Sequence, residues 1–209
     1  MVGRAGSYAT VAPIWAGATV VCIGGGPSLN SDDVAACRGR ARVIAVNDAY
    51  KLAPWADALY ACDYAWWRAH GGVPAFQGLR FSLDRRAVRY GVQILQNTGV
   101  AGLELEPTGL RTGHNSGYQA INLAVHFGAR RIVLLGYDMQ RTDNKAHWFG
   151  DHPTGLNNPP LPLFIPQFEQ VAPLLRARGI DVINSSRETA LTMFPRQSLQ
   201  AALSVAVAA

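Results

Sequence analysis

A chain of 209 residues is long enough for one ordinary domain with a substantial core. With 49% hydrophobic and only 16% charged residues it is no disordered polyampholyte, and no apolar run approaches the roughly 18 residues that cross a bilayer. The formal charge of +5 leaves two readings open, a polyanionic partner or an incidental property of the surface.

Residues 1–17 are small, rich in Gly and Ala and aperiodic, which predicts a loosely held arm. They carry one early arginine and no continuous apolar core, so the sequence does not read as a secretory signal. Organised structure is expected over 18–209 as a single domain, beginning with the apolar, β-branched run 18–23. Continuous apolar runs of this kind are the mark of parallel strands covered on both faces. Similar runs follow at 42–46, 57–61, 92–95, 131–135 and 180–183. Between them lie helical signals. Asn30 or Ser31 caps a helix through Cys37, with Asp32 and Asp33 in its first turn, and residues 64–70 offer a second, short helix. The best helix spans 116–127, capped by Asn115 or Ser116 and stopped by Gly128; another spans 167–178, its start blurred by four prolines. The alternation predicts an α/β fold: one Rossmann-like domain with a mostly parallel sheet and helices on both faces. Cys22, Cys37 and Cys62 are odd in number and lack CxxC spacing, which fits a reducing, cytoplasmic location without disulfides or a zinc site.

In open α/β sheets ligands bind beyond the carboxyl ends of the strands, so the residues after each run carry the functional reading. After the first run stand Gly24, Gly25, Gly26, Pro27 and Ser28, where glycines let backbone N–H groups approach a phosphate or ribose. The loop has no Walker Lys-Ser/Thr, and Leu29 breaks the dinucleotide fingerprint, which disfavours a Rossmann dehydrogenase. A tight strand-to-helix turn is the plainer alternative. Asn47 and Asp48 follow the second run, Asp63 the third, and Gly136, Tyr137 and Asp138 the fifth. Asn47 can read a nucleoside or open an Asx-turn. Asp48, Asp63 and Asp138 can share Mg²⁺ through oxygen ligands or serve as caps. Gly113 to Gly117, with Asn115 and Ser116, make a cap and a ready anion site. His147 and His152 lie in a polar loop beyond the fifth run, spaced i, i+5, which does not suit two metal ligands on one helix face. A histidine beside a phosphate or sugar site is a candidate general base, against the plain reading of an exposed loop histidine. His126 falls inside a helix and reads as structural, and His70 has no motif around it.

These motifs resemble two related groups. Cys22-Ile-Gly-Gly-Gly-Pro-Ser-Leu29, Val46-Asn-Asp-Ala-Tyr50, the run from Asn115 to Gly128 and Ile132-Val-Leu-Leu-Gly-Tyr-Asp138 look like the bacterial lipooligosaccharide sialyltransferases and the archaeal 6-hydroxymethylpterin diphosphokinase (MptE-like) group. They are also similar to phage and prophage proteins that carry the same motifs. The resemblance implies a nucleotide-dependent transferase. In its glycosyltransferase form, a nucleotide-sugar donor is held by Gly24, Ser28, Asn47, Ser116 and Gly117, no metal is required, and His152, ahead of His147, takes the proton of an acceptor hydroxyl. In its diphosphokinase form, ATP is held with Mg²⁺ on Asp48, Asp63 and Asp138. A third reading is a non-catalytic phage assembly or binding protein that keeps the fold, in the host cytoplasm. Two departures stand out: the region between Asp63 and Gly113 leaves little room for a sialyltransferase lid, and Tyr137 is the one tyrosine after the fifth run. The acceptor is expected to be a small molecule or glycan. A nucleic acid is the alternative, met by the basic group Arg80, Arg85, Arg86 and Arg89.

Overall fold

A computed structural model describes residues 7–150 and 161–204. Seven strands form one sheet: β1 (Thr19–Ile23), β2 (Arg42–Val46), β3 (Ala58–Tyr60), β4 (Leu79–Ser82), β5 (Gln93–Ile94), β8 (Arg131–Leu135) and β9 (Asp181–Asn184). The order is β5-β4-β3-β2-β1-β8-β9, and every neighbouring pair is parallel. Two short strands, β6 (Gln96–Asn97) and β7 (Gly109–Leu110), pair separately. The helices are α1 (Ser31–Ala36), α2 (Tyr64–Ala69), α3 (Ser116–His126), α4 (Ile165–Ala177) and α5 (Leu199–Ser204). The fold is α/β and Rossmann-like.

The apolar runs are continuous because both faces of the sheet are covered. Val20 and Cys22 of β1 join Ile44, Tyr60 and Leu134 under α3 and α4. Val21 and Ile23 point the other way, to Val34 of α1, Trp66 and Trp67 of α2 and Ala202 of α5. Within α3 nearly every side chain is buried, including Gln119, Asn122 and His126. These polar groups are tolerated because each has a partner. Gln119 accepts from the Tyr60 hydroxyl at 2.6 Å, Asn122 bonds both N–H and C=O of Glu104, and the His126 ring meets Gly109 O at 2.8 Å. His126 is structural, as its place in the sequence suggested.

The arm expectation needs correction over residues 7–17. Val11 and Trp15 are buried, and Trp15 stacks on Phe127 at 3.9 Å between ring centroids. Ala9 N donates to Ile94 O, and Trp15 N to Phe127 O, both at 2.8 Å. Two apolar anchors are enough to hold a Gly/Ala-rich segment, since a buried Trp alone removes some 150–250 Å² from water. Helix α4 begins two residues before its expected start, because Pro166 fits the first turn, where its missing N–H has no partner to lose. No described helix is long and apolar enough to cross a membrane.

What places the site is the strand order. From β1 the chain winds outward to β5 and then returns through α3 to β8, on the other side of β1. The order therefore reverses between β1 and β8, and the loops after these two strands diverge to leave a crevice.

Candidate functional site

A cleft of about 200 Å³ opens at this reversal. Its floor is the loop Gly24, Gly25, Gly26 and Pro27 after β1. One wall is Gly136 to Gln140 after β8, and the other is His114 to Gly117 at the start of α3. Asn47, Asp48 and Asp63 reach it from the ends of β2 and β3, and His147, Phe149 and Phe164 from the segments before α4. Residues read separately along the sequence thus meet in one place. His152 lies outside the described residues.

The glycine loop is held more tightly than a free anion cradle. Gly24 N donates to Leu135 O and Gly26 N to Gly136 O, both at 2.8 Å, so these two amides continue the β1–β8 pairing and are not turned to a ligand. At Gly26 an added Cβ would lie 2.1 Å from Asp138 Oδ1 and 2.7 Å from Gly136 O, so only glycine fits. Gly25 is different, since the nearest atom to its Cβ position is His147 Nδ1 at 3.3 Å. Of the three glycines on the cleft floor it has the most room.

Asp138 is 1% exposed, and both its oxygens are used. Ser28 N donates to Oδ2 at 2.7 Å and Ser28 Oγ to Oδ1 at 2.9 Å. Burial pushes its carboxyl up to about 6, against the two Ser28 hydrogen bonds, and Glu188 adds to the rise. Asp138 is thereby a clamp between the β1 and β8 loops, at the cleft wall where the sequence placed a candidate metal ligand or cap. Ser28 likewise serves that clamp and does not line the cleft. The turn behind Asp138 is fixed by Ser186 Oγ, which accepts from Tyr137 N at 2.7 Å, and by Thr189 Oγ1, which donates to Tyr137 O at 2.8 Å.

Asp48 is spent in the same way. Oδ2 accepts from Trp66 Nε1 at 3.0 Å; Oδ1 meets His70 Nε2 at 3.1 Å and Lys51 Nζ at 2.5 Å. Burial works against this carboxylate, but the His70, Lys51 and Trp66 bonds outweigh it and hold it well below the usual range. The His70 ring is stacked on Trp66 at 4.1 Å. His70, unsupported by any sequence motif, thus gains its role from a carboxylate 22 residues away. The network anchors the 3-10 turn of residues 47–51, whose first residue, Asn47, takes the left-handed φ of 51° at the cleft edge. Asp63 is exposed at the rim, opening α2 without a side-chain cap bond. The three carboxylates therefore do not suit a shared Mg²⁺: two have their oxygens engaged, and no cluster of metal-ligating groups forms among the described residues.

Helix α3 aims its N-terminus into the cleft. Asn115 Oδ1 caps Tyr118 N at 3.1 Å and Asn115 O accepts from Gln119 N, which leaves the amides of Ser116 and Gly117 at the helix tip. Gly117 lets the helix approach Tyr137, whose ring would lie 2.8 Å from an added Cβ. The Tyr137 hydroxyl donates to Gly117 O at 3.0 Å, and burial pushes its ionisation well above the ordinary tyrosine value. It ties α3 to β8 and stays protonated.

The basic group divides. Arg80 donates from β4 to Gly72 O and is half-buried, whereas Arg85, Arg86 and Arg89 are exposed on the 3-10 turn after β4. Arg68 of α2, which the sequence reading left out, joins them as an exposed cation.

No protein family model matches the chain, and no curated protein matches it in sequence. Among solved structures it is similar to the MAf glycosyltransferase from Magnetospirillum magneticum AMB-1, with a TM-score of 0.66 and 14% identity over 93% of this chain. The alignment takes in 35% of that protein, so the chain spans about a third of its length. The likeness is one of fold.

Proposed function

We propose that this chain is a nucleotide-dependent transferase of glycosyltransferase type, moving a sugar from a nucleotide-activated donor to an acceptor hydroxyl. The observation that carries the reading is the convergence, at the switch point of a fold shared with a glycosyltransferase, of the α3 N-terminus with the Gly25 loop. The helix tip supplies the Ser116 and Gly117 amides to the donor's phosphate, where a developing negative charge is best met by fixed N–H dipoles. Asn47 faces the nucleoside. At about 200 Å³ the cleft is smaller than the ~300–1,000 Å³ usual for ligand pockets, so it takes the phosphate-sugar part of the donor and leaves the rest at the rim.

The acceptor hydroxyl gives its proton to a histidine, His152 in this reading, with His147 beside Gly25 as the second candidate. The hydroxyl oxygen then bonds to the donor's activated carbon as the bond from that carbon to the phosphate oxygen breaks, and the nucleotide leaves with the electron pair. Asp138 holds the loops and takes no proton from substrate. The diphosphokinase alternative finds no carboxylate set fitted to its cation among the described residues.

Thermal-shift and calorimetric titration against CMP, UDP, GDP, ADP and their sugar conjugates, with Mg²⁺ and with EDTA, tests the reading. A nucleotide or nucleotide sugar that raises the melting temperature equally in EDTA is the expected result. Failure of every nucleotide to bind would leave a non-catalytic binding protein in its place, and binding only with Mg²⁺ would restore the diphosphokinase.

A further inference from the structure

Three carboxylates reach the cleft from strand ends, and two of them are engaged: Asp48 by Trp66, His70 and Lys51, and Asp138 by Ser28. Asp63 is the exception. It lines the same cleft, yet its side chain makes no cap bond to α2, and no hydrogen bond or ion pair reaches it among the described residues. The cause lies in a residue of another segment. Tyr64 N, the first amide of α2, donates to Asp84 Oδ2 at 3.4 Å, and Asp84 is itself held by Arg86 through both oxygens. Asp84 thus serves the start of α2, and the Asp63 carboxylate is left to the cleft. Partial burial, and then the charge of Asp84, raise the Asp63 carboxyl above its ordinary value, and no cation counters them there. Ionised Asp63 therefore works against the fold at neutral pH. Unpaired, perturbed carboxylates of this kind concentrate where a ligand supplies the missing partners.

We propose that Asp63 binds hydroxyl groups of the acceptor and sets its class, a saccharide whose reacting end bears hydroxyls and no acidic group. The inference rests on the transferase reading and names its acceptor. The donor's phosphate belongs at the Gly25 loop and the α3 tip, and an ionised carboxylate repels it, so Asp63 faces the other reactant. The strand order agrees. β3, which carries Asp63 beyond its end, stands two places from β1, about 10 Å away at the usual spacing of neighbouring strands, so the carboxylate lies to one side of the donor. An ionised carboxylate offers acceptor oxygens only, which suits the O–H groups of a sugar. With Asp84 behind it, the same group disfavours a carboxylate or sulfate on the incoming ring.

The test is a printed array of neutral, carboxylated and sulfated oligosaccharides, probed with the fluorescently labelled whole chain. Calorimetry then follows the strongest binder, and CMP, UDP, GDP and ADP, on the native chain, Asp63→Asn and Asp63→Glu. Neutral oligosaccharides are expected to bind and acidic ones not. Asp63→Asn should lose about tenfold or more in glycan affinity, and Asp63→Glu should keep part of it. Nucleotide affinity should be equal in all three proteins. The melting temperature of Asp63→Asn should hold or rise, because the variant removes the repulsion from Asp84; a fall would make Asp63 a structural residue and overturn the proposal. Preference for acidic glycans, binding of no glycan, or undiminished binding by Asp63→Asn overturns it as well. So does nucleotide affinity that drops in Asp63→Asn, which would give the carboxylate to the donor's ribose. Neutral-glycan binding that depends on Asp63, without any nucleotide binding, would remove the transferase reading and leave the role of Asp63 standing.

Discussion

Ser28 and Asp138, 110 residues apart, are joined beside the cleft by two hydrogen bonds, amide to Oδ2 at 2.7 Å and hydroxyl to Oδ1 at 2.9 Å. This pair joins the first strand's loop to that of β8 and gives the fold a pH-dependent contribution.

With its carboxyl raised by burial from 3.8 to about 6, Asp138 binds a proton more readily in the folded chain than in the unfolded one. Its contribution to stability is therefore fully present below about pH 4 and is lost as pH rises through about 6, over a range on the order of 3 kcal/mol. Urea unfolding of the native chain and of Asp138→Asn across this window should show that fall in the native chain and a flatter curve in the variant. Parallel curves would refute the assignment.

Asp48 behaves with the opposite sign. Its carboxyl is depressed, so its stabilisation is present above about pH 4 and disappears as the pH falls below that. Asp48→Asn, which leaves Lys51 and His70 without their anionic partner, should cost about 2–4 kcal/mol at pH 7, with the penalty shrinking in acid. A pH-independent penalty would mean that the loss is one of packing.

Neighbouring glycines should respond differently to the same change. Gly26→Ala drives a methyl into Asp138 and the Gly136 carbonyl and should destabilise by about 2–3 kcal/mol or more. Gly25→Ala meets the His147 ring alone and should cost under about 1 kcal/mol while weakening nucleotide binding. Chemical denaturation of the two variants side by side decides it.

Trp15→Ala should destabilise by about 3–5 kcal/mol, because the ring is buried against Phe127. A cost near zero would return residues 7–17 to the status of a loose arm.

His152→Ala should lower kcat by about 10²–10⁴ with nucleotide affinity kept, and more than His147→Ala. If turnover falls only in the His147 variant, the base is His147.

Much of the scaffold was legible because its cause is local. β1, β2 and β8 are uninterrupted apolar runs, and α1 and α3 carry their caps at Asn30 and Asn115 beside them in sequence. β4 was not legible, since Arg80 and Ser82 interrupt its pattern and their partners, Gly72 O and Cys62 O, sit on other segments. The site divides along the same line. Strand-end reading found the Gly25 loop, Asn47 and the α3 tip, but it could not see that Asp48 and Asp138 were already occupied. Of their partners, Trp66, His70 and Ser28 lie 18 to 110 residues away, and Lys51 alone is near in sequence.

The central place of β1 also has a consequence for synthesis. Its neighbour β2 follows after some twenty residues, whereas β8 emerges from the ribosome more than a hundred residues later. Until then the other edge of β1, Thr19–Ile23, has no partner strand, and it is an apolar, β-branched segment of the kind that pairs with other chains. Arrival of β8 closes that edge and brings in one wall of the crevice, Gly136 to Gln140.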